Sequence, residues 1–66
     1  MQETEKRRIL RTQAAAHYVG STESTMEKWR MKGVGPRWIQ LSARTVGYTI
    51  EDLDAFIEER RAATAA

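Results

Sequence analysis

Residues 22–36, TESTMEKWRMKGVGP, decide the fold of this 66-residue chain. Thr22 is a good helix N-cap because its hydroxyl can accept a hydrogen bond from a free backbone N–H. Glu23 then lies in the first turn, where an acid suits the helix dipole, and Gly33 supplies a C-terminal stop. The stretch therefore predicts a helix over about residues 23–32 that runs into a Gly-Pro turn.

The spacing of apolar residues divides this helix into two faces. Met26 and Trp29 lie three residues apart, which places both on the packed side. Arg30 joins them, with its stem over the core and its head at solvent or at an acid of the last helix. Met31 points outward, where it could touch a thymine methyl group or a partner protein, although an isolated exposed apolar residue usually needs no explanation. The polar residues predicted to face outward are Ser24, Thr25, Lys28 and Lys32.

A second helix is predicted just upstream, over about residues 13–19. Thr12 is its expected N-cap and Gly20 its stop, and Ile9 and Leu10 are expected to close over its start. The residues that share its inner face are Ala15, Ala16 and Val19. Because so few residues separate the two helices, they are expected to cross steeply, as in a helix-turn-helix.

A hairpin is predicted after the Gly-Pro turn. Two apolar segments, residues 38–41 and 46–48, flank a polar link at 42–45, a pattern typical of two paired strands. An isolated two-stranded hairpin is marginally stable in water, so this one is expected to lean on the helices, with Ile39 or its neighbours facing inward. Trp38, which opens the first strand, is interpreted as structural.

The last predicted helix spans about residues 50–61 and has the clearest start signal. Thr49 is its N-cap, Asp52 is an acidic capping-box partner, and Tyr48 and Leu53 are spaced as a hydrophobic staple. The residues predicted to be buried on this helix are Leu53, Phe56 and Ile57. The fold class expected from these elements is mainly α with a small β-hairpin.

Charge is unevenly distributed along the chain. Residues 1–48 hold nine Lys or Arg against four Asp or Glu, whereas residues 49–66 hold two against five. The stretch from Lys28 to Tyr48 has five bases and no acid. Basic surfaces attract phosphate backbones and release condensed counterions, so a nucleic-acid partner is expected, although a charge run can also be an ordinary solvated face.

Size and composition narrow the class of protein. Sixty-six residues make one domain, and we expect an ordered core over about residues 9–61 with frayed tails at 1–7 and 62–66. The chain has no cysteine, which fits a reducing cytoplasm. It has no apolar run near the ~18 residues of a membrane span, so no membrane partner is expected.

In this order and spacing the motifs resemble those of small phage-derived AlpA-type regulators and excisionases, relatives of the MerR winged-helix superfamily. The likeness covers about residues 9–61. The segments that carry it are Thr12 with Ala15-Ala16 and Val19-Gly20, Ser24-Thr25-Met26 with Trp29-Arg30, Gly33 with Gly35-Pro36, and Tyr48 with Asp52-Leu53 and Phe56. The resemblance implies a winged helix-turn-helix of three short helices and a two-stranded wing.

The resemblance also implies a DNA-binding role. The second helix would enter the major groove and the hairpin would reach the backbone or the minor groove. The residues expected to contact DNA are Ser24, Thr25, Lys28, Lys32, Arg37, Gln40, Arg44 and Thr45. The four basic ones are expected to contact phosphate, with a guanine edge as the alternative for Lys28, whereas Ser24 and Thr25 could contact either base or phosphate or be ordinary exposed residues of the first turn. Double-stranded DNA is thus the expected partner, with integrase or RNA polymerase and further copies of the chain beside it.

One alternative function is open, whereas an enzyme and a metal or cofactor site are not expected. Gly47, Thr49 and Ile50 stand where relatives often carry arginine, which favours an alternative, a protein-interaction adaptor on the same scaffold. An enzyme is not expected, because the sequence shows no set of nucleophile, base and orienting residue, and the acids at the start of the last helix are explained by its dipole. His17, the one histidine, has no cysteine near it, so neither a metal site nor a cofactor is expected.

Overall fold

The computed structural model describes residues 8–65, which form three helices and a three-stranded antiparallel sheet. The elements in chain order are β1 (Ile9–Leu10), α1 (Thr12–Val19), α2 (Glu23–Lys32), β2 (Ile39–Ser42), β3 (Thr45–Thr49) and α3 (Ile50–Ala65). The three predicted helices and the predicted hairpin are all present, but the sheet has a third strand. The predicted N-terminal tail at 1–7 lies outside the described residues.

Strand β1 makes the difference between a two-stranded wing and a three-stranded sheet. The strand order is β1-β3-β2, and Leu10 lies opposite Tyr48 in the β1–β3 pair. Just beyond it, the Ile50 N–H donates a hydrogen bond to the Arg8 carbonyl at 3.2 Å. A strand of two residues has no periodicity to read, since only its long-range pairing defines it. Pairing on both sides makes β3 the central strand of the sheet.

The core lies where α1, α2 and α3 meet the inner face of β3. The buried residues that form it are Leu10, Ala15, Ala16, Met26, Tyr48 and Leu53. Small side chains at Ala15 and Ala16 fit the close packing of α1 against its neighbours. Tyr48 and Leu53, the predicted staple, are both fully buried, and Thr49 caps α3 by accepting a hydrogen bond from the Asp52 N–H at 3.0 Å.

The start of α1 corrects one prediction. Thr12 is the first residue of α1 and not its N-cap, a position that Arg11 occupies without a side-chain hydrogen bond. The Thr12 hydroxyl instead accepts a hydrogen bond from Arg30 Nη1 at 3.2 Å. Arg30 also donates to the Tyr48 hydroxyl at 2.7 Å. The half-buried Arg30 therefore directs its guanidinium to two hydroxyl groups of α1 and β3, and not to an acid of α3.

Helix α3 is longer than predicted, because it continues to Ala65 instead of ending near residue 61. Most of residues 62–65 are alanine, the residue with the highest helix propensity, and the Thr64 hydroxyl donates to the Arg60 carbonyl at 2.8 Å. These residues are exposed. Local helix propensity and this hydrogen bond therefore account for the last turn of α3. The prediction of a frayed tail is wrong for residues 62–65.

The hairpin does not pack as predicted. All four residues of β2 are exposed, and Ile39, expected to face inward, is 38 % exposed. Trp38 lies just before β2 and is 41 % exposed, so it is not a core residue. The reason is that β2 is the edge strand, whereas β3 lies between β1 and β2 and turns Val46 and Tyr48 toward the helices.

Candidate nucleic-acid interface

Helix α2 is fixed at both ends by the predicted signals. The Thr22 hydroxyl accepts a hydrogen bond from the Thr25 N–H at 3.2 Å. At the other end Gly33 adopts a left-handed conformation and its N–H donates to the Arg30 carbonyl at 3.2 Å, while the Val34 N–H donates to the Trp29 carbonyl at 2.9 Å. These bonds satisfy terminal backbone groups and hold the helix to ten residues.

The next residues set the position of α2 against α3. Gly35 has φ +87°, and a Cβ placed there would lie 2.9 Å from Trp29 Cβ, so only glycine fits this close approach. The Trp29 and Phe56 rings lie 5.3 Å apart between centroids and are tilted by 50°. The side of α2 that carries Trp29 is therefore packed, which leaves the opposite side to solvent.

The outward face of α2 has the exposure that the spacing predicted. Met26, on the inner face, is 1 % exposed, and Trp29 and Arg30 are half-buried. The exposed side chains of the helix include Ser24, Glu27, Lys28, Met31 and Lys32. Thr25 differs from the prediction, because it is half-buried and its hydroxyl accepts a 2.9 Å hydrogen bond from Thr22. Thr25 thus lies at the flank of the face.

The hairpin tip offers one exposed cation. Arg44 lies in the two-residue turn between β2 and β3 and is exposed, while Thr45 begins β3 and is half-buried. The Gln40 amide donates to the Ser42 carbonyl and also approaches the Thr45 carbonyl at 3.5 Å. Gln40 therefore closes the turn locally. Of these three predicted contacts, Arg44 is the one whose side chain is free to reach a ligand.

Arg37 lies apart from the α2 cations. It is exposed, but it lines a shallow cleft with Asp52 and Glu59 of α3. Within residues 8–65 Arg37 forms no ion pair with either carboxylate. The structure therefore brings Ser24, Lys28 and Lys32 together on one helix face and places Arg37 beside an acidic helix.

Helix α3 carries five acids and packs on α1 and β3. The Tyr18 hydroxyl donates to Asp54 Oδ1 at 2.6 Å across the α1–α3 contact. This hydrogen bond to a carboxylate raises the pKa of Tyr18 above its usual value of 10.0, because it stabilises the protonated phenol. Glu58 pairs with Arg61 at 3.8 Å, within one turn of the helix. Asp54 and Glu58 thus interact with neighbours in α1 and α3.

The exposed face of α2 also contains Glu27, which was not predicted as a contact, and Met31, for which a thymine methyl contact was one open interpretation. Glu27 precedes the acid-free stretch by one residue and is exposed beside Lys28, and Met31 is 87 % exposed. Helical spacing of three, four and seven residues from Ser24 places both on the same face. The helical spacing that places Glu27 on this face can be read from the sequence.

A cleft of about 360 Å³ is lined by Trp29, Val34, Gly35, Phe56 and Arg60, none of which is a usual nucleophile or acid-base pair. Residues 8–65 contain no cluster of three His, Cys, Asp or Glu that could hold a metal ion. Within the same range no helix is long and apolar enough to cross a membrane.

No protein-family model matches the chain, and no curated protein sequence matches it significantly. The likeness to AlpA-type regulators and excisionases therefore remains a prediction from the residues that carry it.

Proposed function

We propose that this protein is a winged helix-turn-helix that binds double-stranded DNA with a sequence preference. The observation that carries the proposal is the division of α2 into a packed face and an exposed face that bears Lys28 and Lys32. Neither lysine makes an ion pair within residues 8–65. A capped helix with cations directed to solvent, preceded by a short connection to another helix, has the features of a major-groove helix.

The parts of the fold have distinct roles in this proposal. Helix α1 supports α2, which enters the major groove with Ser24 at its leading end. Lys28 and Lys32 contact phosphates, and Arg44 at the hairpin tip reaches the backbone or the minor groove. Thr25, Arg37, Gln40 and Thr45 are secondary contacts, because each is half-buried or has charged or hydrogen-bonding neighbours within the fold.

The biological role that fits this surface is that of a small phage or mobile-element protein, either an excisionase-like directionality factor or a transcriptional regulator. Both use the same DNA contacts, and strand cleavage or transcription belongs to a partner, integrase or RNA polymerase. The protein itself is not an enzyme in this proposal and works in the cytoplasm without a cofactor. A module with about four phosphate contacts binds weakly alone, so several copies on repeated sites supply occupancy.

The direct test is a titration of the full chain against a generic duplex at several salt concentrations. About four phosphate contacts predict that log K falls against log salt concentration with a slope of roughly −3 to −4. The double variant Lys28→Ala with Lys32→Ala should flatten this slope by about 2. A salt-independent affinity, or a double variant indistinguishable from wild type, would contradict the proposal.

A second candidate function, a protein-interaction adaptor, is favoured by the outer face of the sheet. Ile9 and Leu41 close over Gly47, where a Cβ would lie 2.9 Å from Leu41 Cδ1, and both side chains are more than 40 % exposed. Exposed apolar side chains in one patch often mark a protein contact. An adaptor predicts no salt-sensitive DNA affinity, and loss of partner binding in Leu41→Ser.

The two DNA-binding roles are distinguished by adding integrase. An excisionase shifts a recombination assay from integration to excision when the purified protein is added. A regulator leaves the recombination products unchanged and alters transcription from a promoter that contains its site. The variant pair Lys28→Ala and Lys32→Ala is the control in both assays, because it lacks the proposed phosphate contacts.

A further inference from the structure

A four-residue stripe runs along the exposed face of α2. Ser24, Glu27, Lys28 and Met31 have the spacing i, i+3, i+4 and i+7, which keeps them within an arc of about 100°. All four are exposed, and Met31 is 87 % exposed, more than any other large apolar residue of the described chain. We call these four residues the α2 stripe. Two of its members, an acid and a thioether, have no attraction for phosphate.

Neither of these two residues has a structural explanation within the fold. Glu27 is the fifth residue of α2, beyond the first turn where the helix dipole favours an acid. Glu23, four residues earlier, carries the same charge, and such a pair weakens a helix. Glu27 makes no ion pair within residues 8–65, and Met31 is outside the core cluster.

In the major groove both side chains have complementary base groups. Cytosine presents its N4 amino group there as a donor, which a carboxylate accepts, and thymine presents its 5-methyl group, which apolar side chains contact. We propose, on the basis of the proposed DNA-binding function, that Glu27 and Met31 are specificity-determining residues of α2. Glu27 selects a C·G pair and Met31 selects a T·A pair.

The helix geometry constrains where these base pairs lie. Glu27 and Met31 are four residues apart, which is about 6 Å along the helix axis. Base pairs rise about 3.4 Å each, so the selected cytosine and thymine lie within about two base-pair steps of each other. Lys28 lies between them on the stripe and contacts a guanine edge or a phosphate there.

The role of Glu27 is tested by whether Glu27→Ala weakens or strengthens binding to a preferred duplex. Duplexes that bind the wild-type chain are enriched from a random pool, and affinities are measured by fluorescence anisotropy for these and for mixed-sequence DNA. Glu27→Ala should weaken binding to the enriched duplex about five- to tenfold. It should not weaken binding to mixed-sequence DNA, because it removes a negative charge near phosphates.

Glu23→Ala is the matched control, since it removes an acid of the same helix outside the α2 stripe. It should leave the preference for the enriched duplex unchanged. Replacing the enriched cytosine pair should weaken wild-type binding and leave Glu27→Ala binding unchanged, as a mutant cycle requires. If Glu27→Ala strengthens binding to every duplex equally, Glu27 only repels phosphate and the inference is wrong.

Met31 is tested from the DNA side, which avoids any effect on folding. Deoxyuridine in place of the enriched thymine removes only the 5-methyl group and should weaken wild-type binding about fourfold, the effect of one buried methyl group. Met31→Ala should bind both duplexes equally, whereas the control Val34→Ala, an exposed apolar change outside α2, should retain the fourfold difference. Equal binding of both duplexes by the wild type would overturn the role of Met31.

These outcomes separate the inference from the function on which it rests. Salt-sensitive binding without any enriched sequence contradicts the specificity of the α2 stripe and leaves DNA binding intact. No salt-sensitive binding to any duplex contradicts the proposed function itself.

Discussion

The two sides of α2 differ sharply in exposure and in bonding. On the inner side Met26 is buried, and Arg30 donates hydrogen bonds to Thr12 and Tyr48. On the outer side Lys28 and Lys32 are exposed and have no hydrogen-bond or ion-pair partner within residues 8–65. The same ten residues thus contribute to stability on one side and are free for ligand contact on the other.

This comparison shows that a cation in the basic stretch need not be a DNA contact. Arg30 lies two residues from Lys28 and has the same charge, but its guanidinium is bound by two hydroxyl groups of α1 and β3. Arg37 shares a cleft with two carboxylates. A count of basic residues in the sequence therefore overestimates the cations that are free for ligand contact, and substitutions on the two sides of α2 test their roles separately.

The largest expected effect is on the packed side. Leu53 is fully buried against α1 and β3, and Leu53→Ala removes most of that side chain from the core. We expect a loss of about 3 kcal/mol in the free energy of unfolding, which is most of the stability of a domain of this size. Urea unfolding followed by circular dichroism measures it. A loss below about 1 kcal/mol would mean that the core is not centred on Leu53.

Arg30→Gln tests whether the inner cation is structural. The change removes the guanidinium from the Thr12 and Tyr48 hydroxyls, so we expect the free energy of unfolding to fall by about 1–2 kcal/mol. The slope of DNA affinity against salt should stay within about 0.3 of wild type, because Arg30 contacts no phosphate. A slope reduced by a full unit with unchanged stability would place Arg30 on the DNA side.

Lys28→Ala should give the opposite pattern on the exposed side. Surface substitutions of this kind change the free energy of unfolding by less than about 0.5 kcal/mol. The salt slope should fall by about 1 if the lysine contacts one phosphate. The same titration with Arg61→Ala is the control, since Arg61 lies on α3 and pairs with Glu58. Equal losses of slope for the two variants would remove the distinction between the α2 and α3 surfaces.

The smallest expected effect is on the pKa of Tyr18, whose hydroxyl contacts Asp54 of the acidic helix α3. Since Tyr18 donates to Asp54, its pKa is raised above 10.0 in the folded state. This contact therefore stabilises the fold below the unfolded pKa of about 10, and the contribution is lost as pH rises through the higher folded pKa. NMR titration of the Tyr18 ring carbons measures the pKa, and Asp54→Asn should lower it. An unchanged pKa in that variant would assign the shift to another cause.

Local signals predicted much of the fold. Thr22 and Gly33 bound α2 where the sequence placed them, and Thr49 caps α3, because a cap depends on neighbours within a few residues. Contacts between residues far apart in the sequence could not be predicted from such local signals. Strand β1 is two residues long, and the Thr12 hydroxyl serves Arg30, eighteen residues away, instead of capping its own helix.

The candidate site was likewise predictable only where local spacing determines the exposure of a side chain. Exposure of Lys28, Lys32 and Arg44 follows from helical spacing and from the turn between two strands. The hydrogen bonds of the Gln40 amide across the hairpin and the position of Arg37 beside α3 depend on how segments fold back on each other. Such tertiary contacts have no signature in a single sequence.

The central claim is that the outer face of α2 and the hairpin tip contact one DNA duplex. NMR chemical-shift mapping of the isotope-labelled chain, titrated with a duplex at low salt, tests it most directly. We predict the largest perturbations at the α2 stripe, at Lys32 and at Arg44, with the acidic residues of α3 unaffected. Perturbations confined to α3 or to the outer sheet face around Leu41, with none on α2, would contradict the account.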